Sequence, residues 1–257
     1  MDNSLHLTRK IQLKELEILK VFQEICRRHN LRYFAIGGTC LGAVRHKGFI
    51  PWDNDVDLIM PLPDIEKLKQ VLNSETLMVL DTDTCDYYEY FFPRVCHKLT
   101  YNRMNAFNSI YGINIDLYPV VGASEYIREI DIFMEKARAL DGKVDTLTKW
   151  HKRILRHTPF SFLLPGYHKS INTLHSFVRQ YPFEGAKKFY HLGGPFRMYQ
   201  VFDYDVFESM TEVEFEGYKF KSLSRVDDYL TQVYGDYMTP PPSNQRIPYH
   251  THNYYWK

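Results

Sequence analysis

From Gly37 to Asp57 the chain reads GGTCLGAVRHKGFIPWDNDVD, and no other stretch limits its fold as much. The run follows Tyr33-Phe34-Ala35-Ile36, a short apolar segment of strand character that meets a glycine pair, and residues through Val44 have a helical pattern. Glycines at a strand end let backbone N–H groups approach an anion closely, and a helix N-terminus adds partial positive charge. Gly37, Gly38 and Thr39 are therefore expected to cradle a phosphate. Further on, Asp55-Val56-Asp57-Leu58-Ile59-Met60 alternates as a half-buried strand does, so Asp55 and Asp57 share one face while Val56 and Leu58 anchor the other. Two carboxylates about 7 Å apart at their Cα atoms can converge on one hard cation. Mg²⁺, or Mn²⁺ in its place, takes such carboxylates together with phosphate oxygens. The combination implies an α+β fold carrying a metal-dependent phosphoryl-transfer site.

A third acid comes from Ile113-Asn114-Ile115-Asp116-Leu117-Tyr118, where the apolar residues alternate and Asp116 shares the opposite face with Asn114 and Tyr118. If this strand lies beside that of Asp55, then Asp55, Asp57 and Asp116 meet as the catalytic and metal-holding set. Arg45, His46 and Lys47 supply donors for anionic oxygens. Arg94 and Lys98 share a parity in an expected strand from Phe92 to Leu99, which suits a phosphate, a sugar or a solvated face. Aromatic residues make up 16% of the chain, and Trp52, Tyr87, Tyr88, Tyr90, Tyr118 and Trp150 are candidates for stacking on a sugar or caging a quaternary ammonium.

A net charge of +1 gives no broad field for nucleic acid. Cys26, Cys40, Cys85 and Cys96 lack zinc spacing and are expected as reduced thiols of a cytoplasmic protein. No leader pattern and no stretch of about 18 apolar residues is present, so a soluble or peripheral protein is expected. The run from Lys149 to Leu164 mixes cations with bulky apolar groups, which fits either contact with an anionic membrane or the charged outer face of a packed helix. One domain is expected across 1–257. It would comprise a helix from Thr8 to His29 ended by Asn30, a core over about 31–121 with a helix from Asp64 to Leu72, and a helical elaboration over about 122–200. A hairpin at Glu214–Phe220 and a helix capped from Ser224 and ending near Gly235 would complete it, within about 201–257.

The segments GGTCLGAVRHKGFIPWDNDVDLIMP, FPRVCHKLTYN, GINIDLYPV and YGDYMTPPPSNQR together resemble the LicD family of phosphotransferases. The resemblance implies a nucleotidyltransferase-like core, with a mixed β-sheet, helices packed on it and a helical C-terminal elaboration. It also implies Mg²⁺-dependent transfer of phosphocholine, or a related phospho-alcohol, from CDP-choline or another CDP-alcohol to a glycan hydroxyl, with CMP leaving. The acceptor would be a cell-surface glycan of the capsule, teichoic acid or lipopolysaccharide kind, lipid-linked in some cases and met at the inner face of the cell membrane. Arg246 and His250 match a basic tail of the family and are expected at the substrate. The family usually carries an acid between Asp53 and Asp55; here Asn54 stands there, and strand parity turns it away from the metal face. Two other readings stay open: a nucleotidyltransferase that releases pyrophosphate, and a non-catalytic glycan-binding subunit.

Overall fold

Helix α1 (Asn3–His29) forms because Ile11, Ile18, Leu19, Phe22, Ile25 and Cys26 recur on one side, and all six are buried. Asn30, at φ +52°, turns the chain left-handed and ends it. In the computed structural model the described residues are 3–248 and 254–256, apart from 86, 87, 89, 103–111, 127, 130, 133, 134, 138, 141, 144, 145, 147–165, 193–199, 204 and 206–210. The basic run from Lys149 to Leu164 thus lies outside them.

Strand β1 (Phe34–Ala35) leads directly into α2 (Gly37–His46), and β2 (Asp57–Pro61) into α3 (Leu62–Val71). Next come β3 (Leu77–Leu80), β4 (Arg94–His97), β5 (Thr100–Asn102), the long β6 (Asn114–Ala123), helix α4 (Gly166–Val178), β7 (Lys188–His191) and β8 (Gln200–Asp203). The hairpin β9 (Thr211–Phe215) and β10 (Tyr218–Ser222), helix α5 (Val226–Tyr234) and β11 (Tyr254–Trp256) follow. Nine of these strands form one sheet in the order β3-β4-β6-β2-β1-β10-β9, with β7 on the second half of β6 and β8 on β7; β5 and β11 pair separately. β2 runs parallel to β6 and β1 parallel to β10, whereas the other pairs are antiparallel, so the sheet is mixed as expected.

Several local expectations shift. β2 starts at Asp57, so Asp55 precedes the strand, and β2 is buried along its whole length because α2 and α3 pack on it. β7 arises within the stretch expected to be helical and β8 begins at its end; Phe189 and Tyr190 of β7 are both buried, as suits a strand covered on both faces. The start of α5 has no side-chain cap: Ser224 Oγ donates to the Asp205 carbonyl instead, at 3.3 Å. The β9–β10 turn places Glu216 (φ +54°) and Gly217 (φ +77°) in the left-handed region, as a two-residue hairpin turn requires. The four cysteines are free thiols. No helix among the described residues is long and apolar enough to cross a membrane.

Candidate active site

The sheet register assembles the site. Asp57 on β2 is the partner of Asp116 on β6, and Asp116 is the partner of Arg94 on β4. Register partners share a face, so the three side chains form a row across adjacent strands. Beyond Asp57 the next register position is Ile36, whose N–H donates to the Asp57 carbonyl at 3.1 Å, and Gly37 follows it in the chain.

Asp116 is densely bonded. Its Oδ1 accepts from Arg94 Nε and Asn114 Nδ2, each at 2.7 Å; its Oδ2 accepts from Arg94 Nη2 at 3.1 Å and lies 3.3 Å from the Tyr118 hydroxyl. Those partners fill the roughly four lone-pair positions of a carboxylate. The Tyr118 hydroxyl also lies 3.3 Å from Asp57 Oδ1, and it has one proton to give. Burial, followed by the charges of Asp55, Asp116 and Asp53, raises Asp57 well above the usual carboxylate range. The Tyr118 hydroxyl thus stands between the two carboxyls and donates to one or the other. Asp53 is raised in the same way by burial and by Asp55, with which it shares a side-chain hydrogen bond. Glu15 on α1 is 2% exposed and likewise raised, by burial first and then by the four aspartates.

The glycine pair meets these acids at close quarters. A Cβ on Gly37 (φ +55°) would lie 3.1 Å from Asp57 Oδ2, and one on Gly38 would lie 2.5 Å from Asp53 Oδ2. Both carboxyls thus rest against the N-terminus of α2, the end of a helix that favours negative charge. Gly37 N–H donates to the Tyr229 hydroxyl of α5 at 2.8 Å, and the Gly38 and Thr39 N–H groups have no acceptor among the described residues. Thr39 Oγ1 accepts from Asp57 N–H at 2.8 Å, so its hydroxyl ties α2 to β2 and its backbone remains for a ligand. Gln12 of α1 donates to the carbonyls of Ile50 at 3.2 Å and Asp53 at 2.6 Å, fixing the loop that carries the acids.

A basic corner gathers four more of the expected residues. His46 meets Trp52 edge-on at 6.0 Å, and the Arg246 guanidinium lies 5.5 Å from the Trp52 ring. Burial, with Arg45 and Arg246, lowers His46 below its usual value. Arg45 donates to the Tyr237 carbonyl at 2.8 Å. Lys47, at φ +57°, ends α2 with its N–H on the Gly42 carbonyl, so its backbone serves the turn. His250 lies outside the described residues.

No three His, Cys, Asp or Glu side chains among the described residues converge tightly enough to hold an ion as they stand. The donor set nevertheless suits Mg²⁺: its atoms are carboxylate oxygens, and Glu15, Asp53, Asp55, Asp57 and Asp116 crowd together. Among the described residues Arg94 is the cation hydrogen-bonded to that group. Sequence reasoning left out Gln12 and Tyr229, which carry no local signal, and Tyr118 as a bridge between the acids, although its parity with Asp116 was visible.

A family model described as LicD/FKTN/FKRP, nucleotidyltransferase domain, matches residues 30–162. The lipopolysaccharide cholinephosphotransferase LicD of Haemophilus influenzae is 29% identical over 96% of this chain and 97% of its own length. The ribitol 5-phosphate transferase FKRP of human and of mouse is 45% identical over 51 residues, which are 20% of this chain and 10% of that protein.

Proposed function

The chain belongs to the LicD family, and from this membership we propose that it transfers phosphocholine, or a related phospho-alcohol, from a CDP-linked donor to a hydroxyl of a cell-surface glycan, releasing CMP. The observation that carries the reading is the row of Asp57, Asp116 and Arg94 beside the glycine-led start of α2. In this reading the donor diphosphate lies against the open N–H groups of Gly38 and Thr39. Asp55 and Asp57 would hold Mg²⁺, with Asp116 joining them through Oδ2 where it exchanges the Tyr118 hydroxyl for the ion and keeps Arg94. Bound there, the ion supplies neutralisation of the diphosphate and of the departing CMP. Trp52, flanked by His46 and Arg246, offers a ring and two donors to the nucleotide or the head group. The acceptor oxygen attacks the phosphorus nearer the alcohol, its proton passes to a carboxylate of the row, and the bond to the CMP oxygen breaks. Such chemistry suits a protein working at the cytoplasmic face of the membrane on a lipid-linked glycan.

The test mixes the protein with Mg²⁺, CDP-choline and a cell-envelope glycan and measures CMP, with Asp57→Asn in parallel. Glycan-dependent CMP release that falls about 10³-fold in the variant is the expected result. Turnover only with CDP-ribitol or CDP-glycerol would change the head group. Pyrophosphate released from a nucleoside triphosphate would establish a nucleotidyltransferase instead, and no product from any donor would leave a binding subunit.

A further inference from the structure

Resting on that reading of the site, we propose that Arg94 is a donor-phosphate-binding residue and that Asp116 is the group that positions it. The guanidinium is fixed on two sides. One edge is held by both oxygens of Asp116, at 2.7 and 3.1 Å, and its face lies 3.8 Å from the centre of the Tyr90 ring and 5.6 Å from that of Phe92. Two of its five N–H groups are used by Asp116; the other three, two on Nη1 and one on Nη2, have no hydrogen-bond partner among the described residues. The side chain keeps 15% exposure. A guanidinium clamped on one edge presents the other as a planar fork, the shape that meets two phosphate oxygens at once.

Its place in the sheet fits the same role. The order β4-β6-β2-β1 puts Arg94 three strands from the glycine cradle, about 14 Å at roughly 4.8 Å per strand, with Asp116 and Asp57 between them. A nucleoside diphosphate ester laid along that row meets N–H donors at both ends. Lys98, which shares the parity of Arg94, is committed elsewhere, to the Ser74 carbonyl at 2.6 Å. Stability alone does not account for the pair, since a buried ion pair adds little over apolar packing.

Titration calorimetry with inorganic pyrophosphate in EDTA tests the proposal without the metal. The variants are Arg94→Lys, which keeps the charge and loses the fork, and the double variant Arg94→Gln/Asp116→Asn, which removes both charges and leaves neither alone. Wild type should bind, the double variant should bind at least about tenfold more weakly, and Arg94→Lys should fall between them. In the CMP assay Arg94→Lys should raise the donor KM several-fold more than it lowers kcat, a split that general loosening of the fold would not produce. If the double variant does not fold, the Arg94→Lys titration and its KM–kcat split decide. Pyrophosphate affinity equal to wild type in both variants overturns the role of Arg94 even where CMP is released. Absence of CMP with every donor would sink the functional reading while leaving an Arg94-dependent pyrophosphate site in place.

Discussion

Asp116 and His191 are two buried titratable residues set close together, since His191 is the register partner of Val120, four residues beyond Asp116 on β6. Asp116 has each of its lone pairs engaged by Arg94, Asn114 or Tyr118, whereas neither ring nitrogen of the 3%-exposed His191 has a partner among the described residues. The imidazole escapes the cost of buried charge by staying neutral: burial lowers it to about 3. A buried carboxyl paired with a guanidinium needs its whole complement of donors, and β4 and β6 supply them. Polar satisfaction in this sheet thus follows charge, and it stops one row beyond Tyr118, whose ring meets His191 edge-on at 5.5 Å.

The contrast predicts opposite mutational signs. Arg94→Ala leaves Asp116 buried without its counter-charge and should cost about 3–5 kcal/mol in denaturant unfolding; a cost near zero would show that water already serves Asp116. His191→Leu removes two unpartnered nitrogens and should add about 1–3 kcal/mol at neutral pH; a loss would reveal a hydrogen bond that the imidazole makes. Taken per pH unit, the smallest effect is in the pH dependence. The unfolded chain protonates its histidine near 6.5, but folded His191 does so only near 3, so between these values the unfolded state binds more protons and stability falls as pH falls. The raised carboxyls Asp53, Asp57 and Glu15 act with the opposite sign, because the folded state takes up their protons first. Stability of wild type minus that of His191→Leu isolates the histidine and should change by up to about 1.4 kcal/mol per pH unit below 6.5. A flat difference would mean that His191 protonates in the folded protein as it does in water.

The glycine pair after its strand, the Asp55/Asp57 spacing and the alternation of Ile113, Ile115 and Leu117 were legible because each pattern is complete within a few residues. Strand parity placed Asn114, Asp116 and Tyr118 on one face, and two hydrogen bonds to Asp116 from its neighbours bear that out. Arg94 was visible as a cation of the right parity, but its pairing depends on the β4–β6 register, which no local pattern encodes. Asp55 was assigned to β2 because alternation cannot mark where a strand begins, and the chain holds that residue just outside. Burial on both faces also removed the half-exposed pattern that the alternation suggested.

The two threads from outside the matched segment, Gln12 on the acid loop and Tyr229 on Gly37, bear on how the protein is made. During synthesis the acids of residues 53–57 emerge early, and Gln12 is already there to meet their loop. Tyr229 emerges more than a hundred residues after Asp116, so the glycine cradle lacks one of its tethers through most of translation. Contacts of such long sequence separation form late and slowly. A ribosome paused between β6 and α5 would therefore carry the carboxylate row already pairing in the sheet but not the finished cradle.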